Sequence, residues 1–114
     1  MQGDITKKWQ FLDGHYDVVV MAEVLEHIDE DKVGSVILEA DRVANKKILI
    51  SMPWRKNEEY ALCFKHKWIP SPEQVATITH SFCGVSKITI ECDGVFIYLE
   101  IIKLTVLGVG VVER

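Results

Sequence analysis

Seven consecutive residues, Tyr16-Asp17-Val18-Val19-Val20-Met21-Ala22, constrain the fold of this chain more than any other feature. Three adjacent valines are stiff at the Cβ and favour a pleated strand over a helix. The run lacks polar–apolar alternation, which predicts burial on both faces, as in a parallel sheet. A parallel strand needs a long crossover to its neighbour, and a helix pattern follows at once. Asp29 suits an N-cap, and Glu30 and Asp31 place negative charge in the first turn. Val33, Val36, Ile37, Ala40, Val43 and Ala44 recur at three- and four-residue steps and form one apolar stripe. Asn45 and Lys46 suit the end of that helix.

Lys47 to Met52 predicts the next apolar strand, closed by Pro53. Trp54 to Ile69 predicts a long loop, with a helical turn near Glu58 to Cys63; loops of this length in a compact domain are often functional. Trp54 and Trp68 flank it, as cleft or core aromatics. Ser71-Pro72-Glu73-Gln74 is a helix start, with Ser71 as N-cap, Pro72 as first helical residue and Gln74 closing a capping box. Val75, Ile78 and Phe82 form its buried stripe, and Gly84 is placed to stop it. Lys87 to Cys92 and Val95 to Lys103 are strand patterns around Asp93-Gly94, a dipeptide suited to a type I′ hairpin turn. Thr105 to Val112 is apolar and reads as a further strand or an interface segment. The order strand, helix, strand, helix, strand, strand predicts an α/β domain over residues 1–114. Its sheet has about four strands, is mixed, ends in an antiparallel hairpin and carries covering helices.

Composition excludes several classes. Hydrophobic residues make up 48% and charged residues 26%, which is a globular balance. The formal net charge of -4 argues against broad binding to a phosphate backbone. Cys63, Cys83 and Cys92 are odd in number and contain no Cys-x-x-Cys pair, so reduced, partly buried thiols in a cytoplasmic protein are expected. Met1 to Lys8 is polar, unlike a signal peptide, and no apolar run approaches the ~20 residues of a membrane helix.

The segment Tyr16 to His27 ends in Glu23-Val24-Leu25-Glu26-His27. It resembles the fourth strand and its exit in class I S-adenosylmethionine-dependent methyltransferases, whose Rossmann-like sheet ends in a hairpin. The later elements follow in that family's order. Gly3-Asp4-Ile5 resembles the segment before that strand, whose aspartate accepts a hydrogen bond from the adenine amino group; a solvated aspartate is the alternative. The resemblance implies that Asp4, Ile5, Ala22 and Glu23 contact the cofactor, S-adenosylmethionine. It implies His27 as candidate base, then Glu23, for methyl transfer to an O, N or C nucleophile.

Glu23, Glu26 and His27 fall at i, i+3 and i+4, one side of a helix if the segment is helical. With His66 they resemble the metal-binding residues of the small-RNA 3′-end 2′-O-methyltransferases, which implies Mg²⁺ or Mn²⁺. Capping, pocket lining or loop stabilisation is the reading without metal.

The departure from the family is a missing half. The Gly-rich cofactor loop and the acidic residue of the second strand have no counterpart here. Gly108-Val109-Gly110 is the only Gly-x-Gly, and it lies near the C-terminus with no helix after it. The expectation is a truncated or split half, inactive alone. Tyr16 to Ala22 then becomes a sheet edge, predicting a homodimer or a subunit that carries the missing half. The alternative is a non-catalytic dimeric module that binds metal, nucleic acid or protein.

Overall fold

A computed structural model describes residues 5–54, 68, 70–107 and 110–113, with side chains through residue 104. The valine run forms strand β1, Tyr16–Ala22. A short 3-10 turn, Leu25–His27, leads to helix α1, Glu30–Val43. Strand β2, Ala44–Pro53, begins on the next residue. Helix α2, Pro72–Thr79, precedes strands β3, Val85–Cys92, and β4, Phe96–Leu107. The tail forms strand β5, Gly110–Glu113, which pairs antiparallel with the end of β4.

The sheet order is β1-β2-β4-β3. β1 and β2 are parallel, joined through α1, while β4 runs antiparallel between β2 and β3. This is the expected mixed α/β sheet with a terminal hairpin. One core cluster fills the space between its covered face and the two helices. Val36, Ile37, Ala40 and Val43 of α1 are buried, as the stripe predicts. They meet Met21, Ile48, Ile50, Leu99 and Ile101 from the strands. The capping box at Ser71 and Gln74 forms in both directions, at 3.3 and 2.8 Å. Val75, Ile78 and Phe82 pack inward below it.

Four expectations change. The strand Tyr16–Ala22 is covered on one face only: Met21 is buried, whereas Val18 and Val20 are 46% and 61% exposed. Among the described residues β1 has no neighbour on its outer side, so it is an edge. Helix α1 stops at Val43, and Asn45 and Lys46 already lie in β2. Helix α2 stops at Thr79, capped by His80, five residues before Gly84; the positive φ of Gly84 instead turns the chain into β3. The hairpin is not type I′, which needs positive φ at both central residues. The Asp93 amide bonds Phe96, making Gly94 and Val95 the central pair, and only Gly94 is positive, at 93°.

Asp93 organises this turn. Its carboxylate accepts from the Phe96 and Val95 amides at 2.8 and 2.9 Å and from the Tyr98 hydroxyl at 2.9 Å. Those donors, Phe96 first, hold its pKa below the ordinary value, and the same contact raises that of Tyr98. Cys83 and Cys92 are free and exposed rather than partly buried. Cys63 and the turn expected at Glu58 to Cys63 lie outside the described residues. No described helix is long and apolar enough to cross a membrane.

Candidate functional site

The parallel register places Ala22 of β1 beside Ser51 of β2. That pairing continues for one residue past β1: the Glu23 amide donates to the Ser51 carbonyl at 3.0 Å. The Ser51 hydroxyl donates back to Glu23 Oε2 at 3.1 Å. Glu23 has φ 57°, the one non-glycine residue in the left-handed region among those described. A side chain there costs about 1 kcal/mol, so the two hydrogen bonds hold a strained backbone in place. The strain turns the chain sharply out of the strand and fixes the Glu23 carboxylate at its exit.

Beyond Glu23 the 3-10 turn packs down on the sheet. Leu25 is buried, and its carbonyl accepts from the Trp68 indole Nε1 at 2.8 Å. Trp68 is therefore a core anchor, and Trp54 packs partly buried against the same core. Glu26 is fully buried. Burial pushes its carboxyl pKa up to about 7; a backbone hydrogen bond opposes the rise and the Glu23 charge adds to it. His27 is half exposed, with Nε2 at 3.7 Å from Glu26 Oε2.

The shared helix face expected of Glu23, Glu26 and His27 does not form. Glu23 precedes the turn in a left-handed conformation, Glu26 is enclosed in the core, and His27 opens to solvent. Among the described residues no three His, Cys, Asp or Glu side chains are grouped to hold a metal. His66 lies outside the described residues, as does Asp4.

Of the expected cofactor contacts, Ile5 lines an apolar groove of about 370 Å³ along the β1 edge, with Trp9, Phe11, Val18 and Val24. Ala22 lines a second groove of about 350 Å³ on the uncovered sheet face, with Leu49, Ser51 and Tyr98. Val20 borders both grooves. The structure thus brings Ala22, Glu23 and Ser51 together and places Ile5 across the edge from them. Sequence reasoning missed Ser51, because only the strand register shows that it faces Glu23.

It also missed Arg42, which builds the wall carrying Ile5 and Trp9. Its guanidinium donates to the carbonyls of Trp9 and Phe11 at 3.0 and 2.7 Å and to Asp13 at 2.9 Å. Glu39 anchors the same guanidinium at 2.9 Å and accepts from the Trp9 amide. The Arg42 hydrogen bond lowers the Glu39 pKa, and Glu39 and Asp13 raise that of Arg42. Exposed ion pairs are individually weak; this one gains by also satisfying backbone carbonyls.

A family profile described as "Methyltransferase domain" matches residues 1–50. The chain shares its fold with part of several solved methyltransferases. A magnesium protoporphyrin IX methyltransferase from Synechocystis PCC 6803, solved with bound S-adenosylhomocysteine, aligns at 16% identity with a TM-score of 0.62. The alignment covers 90% of this chain and 50% of that one. A SAM-dependent methyltransferase from Thermotoga maritima aligns at 14% identity and TM-score 0.72, covering 90% and 62%. The small-RNA methyltransferase HEN1 aligns at 15% identity and TM-score 0.64, covering 89% and 15%. The chain therefore spans between half and two thirds of the first two structures. No curated protein matches it in sequence.

Proposed function

We propose that this chain is the methyl-acceptor side of an S-adenosylmethionine-dependent methyltransferase site, inactive until a Gly-rich cofactor half joins it. The observation that carries this reading is the exit of β1. There a strained Glu23, locked to Ser51, stands between an apolar groove on the strand edge and a second groove on the open face. S-adenosylmethionine, when bound, supplies an electrophilic methyl group. The chain's own part is to present backbone and carboxylate at the strand exit and to enclose the adenine against Ile5, Trp9 and Val24. In this reading His27, half exposed beside Glu26, would be the base that takes a proton from the acceptor. Alignment of the nucleophile with the methyl group does most of the chemical work in such transfers.

A Gly-rich complement, from the same polypeptide or another, would seat against β1. The row Val18, Val20 on an open strand edge is a suitable seat. A cytoplasmic setting accords with reduced thiols. Calorimetry with S-adenosylhomocysteine tests the reading. The chain alone should show no binding, and the chain mixed with a polypeptide bearing the Gly-rich half should bind. Absence of binding in the mixture, with the two shown to associate, would remove the methyltransferase reading and leave a non-catalytic binding module.

A further inference from the structure

Strand β3 is the other edge of the sheet: β4 lies on one side of it, and among the described residues no strand lies on the other. The hairpin fixes the hydrogen-bonding phase of that edge. The Asp93 amide donates to the Phe96 carbonyl, so Glu91, Thr89 and Lys87, at two-residue steps from Asp93, also turn their backbone groups toward β4. The far side of β4 agrees. There the Trp54 amide donates to the Val95 carbonyl, which sends the odd-numbered residues of β4 to β2 and the even-numbered ones to β3. Ile88 and Ile90 therefore aim their N–H and C=O groups outward, an unpaired ladder of the kind that templates another strand. Their side chains lie on the helix-covered face, beside the buried Ile101 and Leu99. Ile88 packs partly buried against the core, whereas Ile90 is 50% exposed. Lys87, Thr89 and Glu91 share the opposite face. Among the described residues neither Lys87 nor Glu91 makes an ion pair.

The sequence Lys87-Ile88-Thr89-Ile90-Glu91 is symmetric in its isoleucines and opposite in charge about Thr89. We propose that β3 pairs antiparallel with β3 of a second copy about a two-fold axis through Thr89, so that one sheet runs through both chains. Ile88 then exchanges backbone hydrogen bonds with Ile90 of the second copy, and Ile90 with its Ile88, which is the phase that their outward groups require. The exposed Ile90 side chain is covered by Ile88 of the second copy. Lys87 stands opposite Glu91 of the second copy, and Glu91 opposite its Lys87. Both are non-hydrogen-bonded pairs, the class whose side chains approach most closely. Of these five residues only Thr89 meets itself. Glu100, one strand inward, stays with Lys47 at 3.2 Å.

Other registers lose. A slide of one residue turns outward backbone groups against inward ones and breaks the ladder. A slide of two sets Lys87 against Thr89 or against Asp93, whose carboxylate already accepts from Val95, Phe96 and Tyr98. A slide of four opposes Lys87 to itself or Glu91 to itself, and like charges directly opposite are destabilising. Isologous pairing of this kind closes at the dimer. One strand pair buries less than the ~800 Å² per partner of a standard interface, so the dimer is weak and concentration-dependent. It leaves the β1 edge free and does not depend on the methyltransferase reading.

Sedimentation equilibrium from ~10 μM to ~1 mM tests it through a charge swap. Wild-type chain should pass from monomer to dimer over that range. Lys87→Glu and Glu91→Lys, both at exposed positions, should each weaken the dimer about tenfold, because two symmetry-related pairs turn from attraction to repulsion. An equimolar mixture of the two variants should recover wild-type association, since both pairs of the mixed dimer are again opposite in sign. Hydrogen exchange on the wild-type chain gives a reading that needs no variant. Peptides containing Ile88 and Ile90 should gain protection at the high concentration, and peptides from β1 should not. A wild-type chain that stays monomeric at ~1 mM would overturn the proposal. So would folded variants that dimerise like wild type, a mixture that fails to recover, or protection that rises along β1 instead of β3.

Discussion

Replacing Glu26 by glutamine isolates the cost of a buried carboxylate at the strand exit. Glu26 is fully buried, and its pKa stands at about 7 against an ordinary 4.5. The folded state therefore keeps its proton over a pH range in which the unfolded chain has released it. Stability from this group is highest below pH 4.5, falls as pH rises and reaches its floor above pH 7. A gap of about 2.5 units corresponds to about 3 kcal/mol. Glutamine has the same shape and cannot ionise. Urea unfolding of wild type and Glu26→Gln at pH 5 and pH 8 measures the difference directly. The variant should gain about 2.5 kcal/mol on wild type between the two pH values, whatever their offset at pH 5, because part of the full effect is already lost by pH 5. Comparing the two pH values cancels any hydrogen bond that glutamine makes differently. A stability difference that stays flat from pH 5 to pH 8 would refute the reasoning. It would mean that the carboxylate is solvated or compensated where the structure buries it.

Smaller perturbations test the elements around the site, all by chemical denaturation. Glu23→Gly should be about 1 kcal/mol more stable than Glu23→Ala, reversing the usual order, because only glycine is relaxed at φ 57°. Ser51→Ala should cost about 1–2 kcal/mol at neutral pH by removing a donor to the Glu23 carboxylate. Ser71→Ala should cost about 1 kcal/mol through the capping box of α2. Gly94→Ala should cost at least ~1 kcal/mol, since its φ of 93° excludes a Cβ without strain.

Much of the fold was legible because local and global signals agreed. The valine run, the α1 stripe and the Ser71 capping box each name one element, and their order admits few sheets. What was not legible depended on neighbours. An unalternating run reads as buried on both faces, yet burial is a property of what covers a strand, and β1 lacks cover on one side. The Asp93-Gly94 dipeptide suits type I′, but the carboxylate of Asp93 capping Val95 and Phe96 shifts the turn by one residue. The i, i+3, i+4 spacing of Glu23, Glu26 and His27 gives one face only on a continuous helix. The left-handed backbone of Glu23 breaks that face, and sequence carries no mark of it. Ser51 is invisible for a related reason: its role comes from parallel register with Ala22, twenty-nine residues earlier.

In the proposed function the exit of β1 forms one wall of a cofactor site completed by a Gly-rich half. Amide chemical shifts of the isotope-labelled chain, followed as S-adenosylhomocysteine is added to the completed assembly, test it most directly. Shifts are expected to centre on Ile5, Ala22, Glu23 and Val24, with none when the same ligand is added to the chain alone. Ligand-induced shifts confined to residues remote from the β1 exit, or none in an assembly shown to have formed, would contradict it.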